Sequence, residues 1–261
     1  MSKTIGIIQA RMASERLPGK ILAPLGGWPL LELLWLRVAR ARVDEWWLAT
    51  SSHPSDDVTA AWGFELGLGV FRGEEQDVLS RFLAVGAKTG ADWIVRVTAD
   101  NPFLDARVID ALLDARDDKS EQAARADLLQ HRGGLPLPTL ERGSPHLPVG
   151  YGVELARRSA LERAASQIPP DASHHRVHVT SWLASQGGVL EIPTPADWPD
   201  RGSWRWTVDT VEDLAMARSA FHLFGSEAAE IDYPRMVARL DAHPEIPAMN
   251  AHVRQKALEQ G

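Results

Sequence analysis

Apolar residues along the chain follow two alternating rhythms. Short runs rich in β-branched and aromatic residues are separated by longer stretches in which apolar residues return at helical spacing, a pattern that predicts strands joined by covering helices. Lys3 to Ile8 reads as a buried first strand. Pro29 to Ala41 (PLLELLWLRVARA) predicts a helix with Pro at its favoured first position, after a Gly26-Gly27 turn. Trp46 to Thr50 is the second strand, Val58 to Leu66 a helix preceded by Asp56 and Asp57, Gly69 to Phe71 a third strand, and Ala91 to Thr98 a fourth with the apolar content of a central one. A helix is expected from Asp105 to Arg116. Periodicity then fades: Asp117 to Arg132 is polar, and Leu135 to Pro148 carries turn residues throughout, as functional or linking segments do. Helices return over Ala156 to Gln167 and His174 to Gln186, followed by a strand at Val189 to Ile192. Trp204 to Thr210 reads as a strand ending in a carboxylate, and Val211 to Leu223 as a helix with Glu212 and Asp213 at its positive end. The expected class is α/β: one domain over 1–261, with a mixed, mostly parallel sheet flanked by helices.

Composition narrows this picture. A chain of 261 residues, 44% hydrophobic, buries one sizeable core. Cysteine is absent, which removes disulfides, thiolate metal sites and a cysteine nucleophile together. The N-terminus runs directly into the first strand, without a charged region and an apolar run before it, and no stretch approaches the roughly 18 apolar residues of a membrane helix. A cytoplasmic protein without membrane attachment is expected. The net charge of -7 argues against general nucleic-acid binding, so positive charge must be concentrated wherever anions bind.

One such place follows the first strand. Gln9 to Lys20 (QARMASERLPGK) carries Arg11, Arg16 and Lys20, with Ser14 as a hydroxyl donor and Pro18-Gly19 setting a bend. Guanidinium forks and a mobile ammonium at the carboxyl end of a first strand suit a polyphosphate. A solvated surface loop would show the same residues. It is not a P-loop, because Ser14 and Ile21 stand where that motif has Gly and a hydroxyl residue, and no G-x-G-x-x-G follows the strand. Two carboxylates, Asp100 and Asp209, end expected strands and would face the same crevice. Mg²⁺ favours one or two carboxylates completed by phosphate oxygens and water. Asp100 and Asp77 also fit as helix caps, Ser51-Ser52-His53 as an ordinary strand end, and Gly150-Tyr151-Gly152 as a bulge. His174 and His178 stand at zincin spacing, but His175 occupies the place of that motif's Glu.

The stretch IIQARMASERLPGKIL resembles the signature of cytidylyltransferases of the spore coat polysaccharide biosynthesis protein F type, relatives of the acylneuraminate and 3-deoxy-manno-octulosonate cytidylyltransferases. Further matches are Arg72-Gly73 with Asp77-Val78-Leu79 and Arg81, Thr98-Ala99-Asp100-Asn101-Pro102, Glu154 after the glycine pair, Arg176, His178 and Thr180, and Arg205-Trp206-Thr207-Val208-Asp209-Thr210 with Glu212-Asp213. The likeness spans nearly the whole chain. Ala13 and Ala99 stand where the family usually has Gly, and Val177 where it has an acid.

This resemblance implies a Rossmann-like nucleotidyltransferase fold of the GT-A type, with 118–150 as an insertion and dimer arm. It implies CTP and a sugar, such as a nonulosonic or other keto-deoxy acid, as substrates, a CMP-sugar and pyrophosphate as products, Mg²⁺ as cofactor, and a homodimer. The nucleotide would be held by Gln9, Ala10, Arg11, Ser14, Arg16, Lys20, Thr50, Ser51, Arg72, Asp77 and Asp100, and the sugar by Tyr151, Glu154, Arg176 and His178. Arg11, Lys20, Asp100 and Asp209 would be catalytic, the two aspartates binding the metal. Rival readings are a GT-A glycosyltransferase, although Asp100-Asn101-Pro102 is not a D-x-D pair, and a non-catalytic nucleotide-sugar sensor, for which Asp209 would be superfluous.

Overall fold

The computed structural model describes residues 2–118, 120–131, 146–195 and 197–256. In chain order its elements are β1 (Thr4–Gln9), a small hairpin of β2 (Pro24–Leu25) and β3 (Trp28–Pro29), α1 (Leu30–Val38), β4 (Glu45–Ser51), α2 (Asp57–Glu65), β5 (Gly69–Gly73), α3 (Val78–Thr89) and β6 (Trp93–Thr98). Then come α4 (Ala106–Asp117), α5 (Glu121–Arg125), β7 (Leu128–His131), β8 (Glu154–Arg157), α6 (Arg158–Gln167), α7 (His174–Val177), α8 (Ser181–Ser185), β9 (Val189–Ile192), α9 (Val211–Phe224), α10 (Tyr233–Asp241) and α11 (Glu245–Ala248).

The main sheet runs β5-β4-β1-β6-β8-β7-β9, with β8 antiparallel to both neighbours and every other pair parallel. The expected mixed, mostly parallel sheet is therefore present. Side chains of β1 alternate between two cores: Ile5 and Ile7 join Val78, Phe82 and Leu161, whereas Ile8 joins Leu31, Leu34 and Leu112. Helices thus cover both faces. Gly6 is required by packing, since a Cβ there would lie 2.3 Å from the Trp46 ring. No helix among the described residues is long and apolar enough to cross a membrane.

β1 pairs with β4 on one side and β6 on the other, and the chain order reverses between them. That switch point opens a crevice at the strands' carboxyl ends, where open α/β sheets bind ligands. The cationic loop leaves β1 there, and Asp100 follows β6.

Three segments differ from expectation. Leu128–His131, within the polar stretch assigned to the 118–150 insertion, is an internal strand: Leu128 and Leu129 are fully buried while Gln130 lies between them and His131. Four residues are too few to display a period. Elsewhere in the expected arm, α5 and residues 146–150 are described, and 119 and 132–145 lie outside the described residues. The helix expected from His174 to Gln186 is two helices, α7 and α8, broken at Val179, whose φ is 50°. Finally, Trp204 to Thr210 joins no strand of the main sheet. It is extended, yet it makes a single parallel bridge, Val149 to Arg205, through bonds of 2.9 and 2.7 Å, and Val208 N–H then donates to the Asp100 carbonyl at 2.8 Å. Its alternation survives: Trp206 and Val208 enter the core, while Thr207 and Asp209 face a cavity.

Candidate active site

The loop after β1 is held in shape by its own backbone and by one buried acid. Met12 N–H donates to Asp56 Oδ1 at 2.7 Å, and the Met12 carbonyl accepts from Ser14 and Gly19 N–H, both at 2.9 Å. Gly19 has φ 75°, a conformation that favours glycine, and it starts the turn over Lys20–Leu22. This turn sends Lys20 inward, leaving it only 8% exposed. Its Nζ donates to Asp100 Oδ2 at 2.9 Å and to Asp209 Oδ1 at 2.7 Å. Burial alone would depress the Lys20 ammonium, but the charges of Asp100 and Asp209 overcome it and hold the pKa above its ordinary value.

Asp209 is crowded with cations. Its Oδ2 accepts from Arg205 at 2.7 Å and pairs with Arg16 at 3.0 Å. Burial would raise its pKa, but Lys20 foremost, then Arg16 and Arg205, bring it below the usual carboxylate range. Arg205 is buried and also donates to Asp213 Oδ1 at 2.9 Å. Asp213, with no exposure, accepts the backbone N–H of Asp209 and Thr210 at 3.0 and 3.1 Å, while Thr210 caps α9 in a capping box. Asn250 donates to both Asp213 and the Arg205 carbonyl, at 2.8 and 2.9 Å. Asp209 is thereby fixed from below by a connected set of buried partners, in which only the Asn250 side-chain oxygen is left without a hydrogen bond.

These groups border a cavity of about 810 Å³. Across its floor runs a polar chain: Gln9 Oε1 accepts from Arg96 Nε at 3.0 Å, Arg96 Nη1 donates to Glu154 Oε2 at 2.6 Å, and Thr180 Oγ1 donates to the same oxygen at 2.8 Å. Gln130, His131, His174, His175, His178 and Glu191 contribute to the remaining wall.

Of the residues singled out in the sequence, Gln9, Ala10, Arg11, Ser14, Arg16, Lys20, Asp100, Glu154, His178 and Asp209 line this cavity. Arg11 sits 3.5 Å from Glu75. Six others do not line it. Thr50 and Ser51 are fully buried, the Ser51 hydroxyl donating to Asp56, so this strand end braces the loop from behind. Arg72 is occupied by the Ser51 and His53 carbonyls, both at 2.9 Å, and by Asp57 at 2.6 Å. Asp77 caps α3 through Ser80 N–H at 3.0 Å and pairs with Arg176, also at 3.0 Å. The rest of Arg176 is spent on the Ala165 carbonyl at 2.9 Å. Tyr151 is buried among Trp198, Trp206 and Tyr233 and donates to Asp105 at 2.7 Å; its flanking glycines face the cavity instead.

The sequence assigned no site role to Arg96, Thr180, Arg205, Asp213, Asn250 and Asp56, although Thr180, Arg205 and Asp213 stand in the motifs matched above. Arg96 carried a usable signal, since a lone charge inside the apolar run Trp93 to Thr98 must find a partner. Arg205 carried another, being on the same side of an extended alternation as Asp209.

A cationic loop on the first strand, facing two acids that share one cation, defines a phosphate-handling α/β protein of the nucleotidyltransferase kind. The chain belongs to the cytidylyltransferase family, whose model matches residues 5–165. Over 253 residues it is 28% identical to the spore coat polysaccharide biosynthesis protein SpsF of Bacillus subtilis, covering 94% of this chain and 97% of that one. It is also similar to a solved cytidylyltransferase from Leptospira borgpetersenii, with a TM-score of 0.81, 25% identity, and coverage of 98% of this chain and 100% of that one. The fold is shared with CMP:2-keto-3-deoxy-manno-octonic acid synthetase, solved with CTP, at a TM-score of 0.58 and 20% identity, covering 85% of this chain and 99% of that one.

Proposed function

We infer that this protein activates a sugar by transferring the cytidylyl group of CTP to a sugar hydroxyl, with release of pyrophosphate. The observation that carries this reading is the convergence of Lys20, Asp100 and Asp209, with Arg11 and Arg16, on one cavity. The hydroxyl oxygen forms a bond to the α-phosphorus, the bond from that phosphorus to the β-phosphate bridge breaks, pyrophosphate departs with its electron pair, and the hydroxyl proton passes to solvent. Arg11, Arg16 and Lys20 bind the β- and γ-phosphates and stabilise the charge gathering on the leaving group. Gln9, Arg96, Glu154 and Thr180 offer donors and acceptors to sugar hydroxyls, and His178 stands in the same wall.

Asp100 and Asp209 fit a divalent cation, because the pair is already arranged around one positive centre at 2.9 and 2.7 Å. They would hold Mg²⁺ with phosphate oxygens and water completing its shell, as that ion prefers. When bound, it adds positive charge at the α-phosphate.

The SpsF likeness supports a place in cell-surface polysaccharide synthesis, and the fold shared with the synthetase supports a keto-deoxy sugar acid as acceptor. A cytoplasmic homodimer completes the proposal. The experiment is a matrix of four nucleoside triphosphates against keto-acid sugars and sugar phosphates with Mg²⁺, scored by pyrophosphate. Release with CTP and a free sugar acid is expected. Sugar transfer from a preformed nucleotide-sugar without pyrophosphate would instead favour a GT-A glycosyltransferase, and binding without turnover a sensor.

A further inference from the structure

Around Asp209 the charges are balanced. Lys20, Arg16 and Arg205 face Asp100, Asp209 and Asp213, three cations against three carboxylates, all within 3.0 Å pairings. The three cations are not equivalent. Arg205 is buried and anchored on Asp213, so it belongs to the fixed body of the protein. Arg16 and Lys20 belong to the cationic loop, and both line the cavity. In this arrangement the charges meant for phosphate are turned onto protein carboxylates.

One location is claimed twice. Lys20 Nζ lies 2.9 and 2.7 Å from the oxygens of Asp100 and Asp209, while a Mg²⁺ held by those oxygens would sit about 2.1 Å from each. Ammonium and metal centres so close would overlap, and their charges would repel. The geometry points to a cation exchange: Asp100 and Asp209 store Lys20 and Arg16 in the free protein, and release both to the phosphates on taking the divalent cation that accompanies the nucleotide. This rests on the two aspartates being the cation site of the proposed function.

Two consequences distinguish exchange from a static site. Metal alone must displace an ammonium that then has no anion to go to, and nucleotide alone must draw Arg16 and Lys20 away from satisfied pairs. Each ligand therefore strengthens the other, and by reciprocity the factor is the same in both directions. The device keeps a strongly cationic loop neutralised until the complete metal-nucleotide complex arrives.

The test uses no sugar and reads no turnover. Mn²⁺ binding is followed by the paramagnetic resonance of free Mn²⁺, and inorganic tripolyphosphate binding by calorimetry in EDTA. The proteins are wild type, Lys20→Met, Asp209→Asn, the double variant and Asp100→Asn, each checked by circular dichroism. Without phosphate, Lys20→Met should bind Mn²⁺ about tenfold tighter than wild type, a size within the usual range of coupling between sites. Without metal, Lys20→Met should barely weaken tripolyphosphate binding in the wild-type background but weaken it about tenfold in the Asp209→Asn background, where Arg16 has lost its carboxylate and Lys20 keeps only Asp100. Either an unchanged Mn²⁺ affinity in Lys20→Met or additive effects in the cycle overturns the exchange. If Asp209→Asn does not fold, the Mn²⁺ comparison still decides. Failure of the underlying metal assignment would show separately, as Mn²⁺ binding in the presence of tripolyphosphate that Asp100→Asn leaves intact.

Discussion

Lys20 has little room to be anything but a working residue, since a buried ammonium between two acids is costly unless each partner is used. Lys20→Ala should lower kcat by about a hundredfold, the loss of one preorganised charge on the departing pyrophosphate. Arg16→Lys should also reduce it, because a point charge does not reproduce a fork that reaches Asp209 at 3.0 Å and can reach phosphate. Turnover at the wild-type level in steady-state pyrophosphate assays would leave both residues a structural role only, as the cations that pair with Asp100 and Asp209. A second residue-scale prediction concerns His131. Burial pushes its pKa down to about 4 from 6.5, against the opposing pull of the Val108 carbonyl. Between those values the unfolded chain takes up a proton that the folded protein refuses. Stability is thus fully present above pH 6.5, falls as pH drops toward 4 and loses about 3 kcal/mol in all. His131→Gln should flatten the pH dependence of urea unfolding in that window, and an unaltered slope would contradict it. The sequence displayed the residues that touch the cavity from its first loop, because charges on a glycine-bent connection after an apolar run are visible as letters. It concealed their supports. Arg72, Asp77 and Arg176 have the same letters as ligand-binding residues and are consumed by carbonyls and by one another, a distinction that only the path of neighbouring backbone makes.

At the scale of elements, long periodic segments were legible and short ones were not. α9, Val211–Phe224, ends one residue past its expected limit and is capped by Thr210, and Asp77 is the cap of α3 that its place in the sequence allowed. β7 was lost in a polar stretch because only its neighbours β8 and β9 make it a strand. The break at Val179 has no sequence signal at all, since a β-branched residue is the last choice for positive φ. Thr180, the residue directly after the break, donates to Glu154. The same coupling of backbone to site applies where Gly150 passes the Asp209 segment. Gly150 has φ 89°, and a Cβ there would lie 2.5 Å from Thr207 N, a backbone atom that cannot step aside. Gly150→Ala should therefore cost at least about 2 kcal/mol of stability, combining backbone strain with a steric conflict. It should also lower kcat/KM, because the displaced Thr207 lies two residues before Asp209. Denaturant midpoints and steady-state kinetics on one preparation test both halves. A variant that loses stability but retains full kcat/KM would show that the 204–210 segment can shift without moving Asp209.

At the scale of the whole molecule, the sheet order places the cationic loop and Asp100 on the adjacent strands β1 and β6, where chain order reverses. Asp209 arrives from outside the sheet, tied to the same point by the bond from Val208 to the Asp100 carbonyl at 2.8 Å. A ligand spanning this crevice touches the first loop, the end of β6 and the segment leading into α9, so its binding energy is distributed across the length of the chain. Binding should consequently appear as global stabilisation rather than as local ordering. If CTP with a divalent cation binds with a dissociation constant of about 10 μM, a free concentration about 100-fold higher should stabilise the protein by about 2.7 kcal/mol. For a domain of this size that raises the melting temperature by about 5 to 10 °C. The shift should need nucleotide and cation together, since the balanced pairs around Asp209 admit neither readily alone. Differential scanning fluorimetry with each of four nucleoside triphosphates, with and without Mg²⁺, measures both requirements. A shift of equal size with ATP or UTP would refute cytidine selectivity while leaving the phosphate site intact, and a full shift with CTP in EDTA would remove the divalent cation from nucleotide binding.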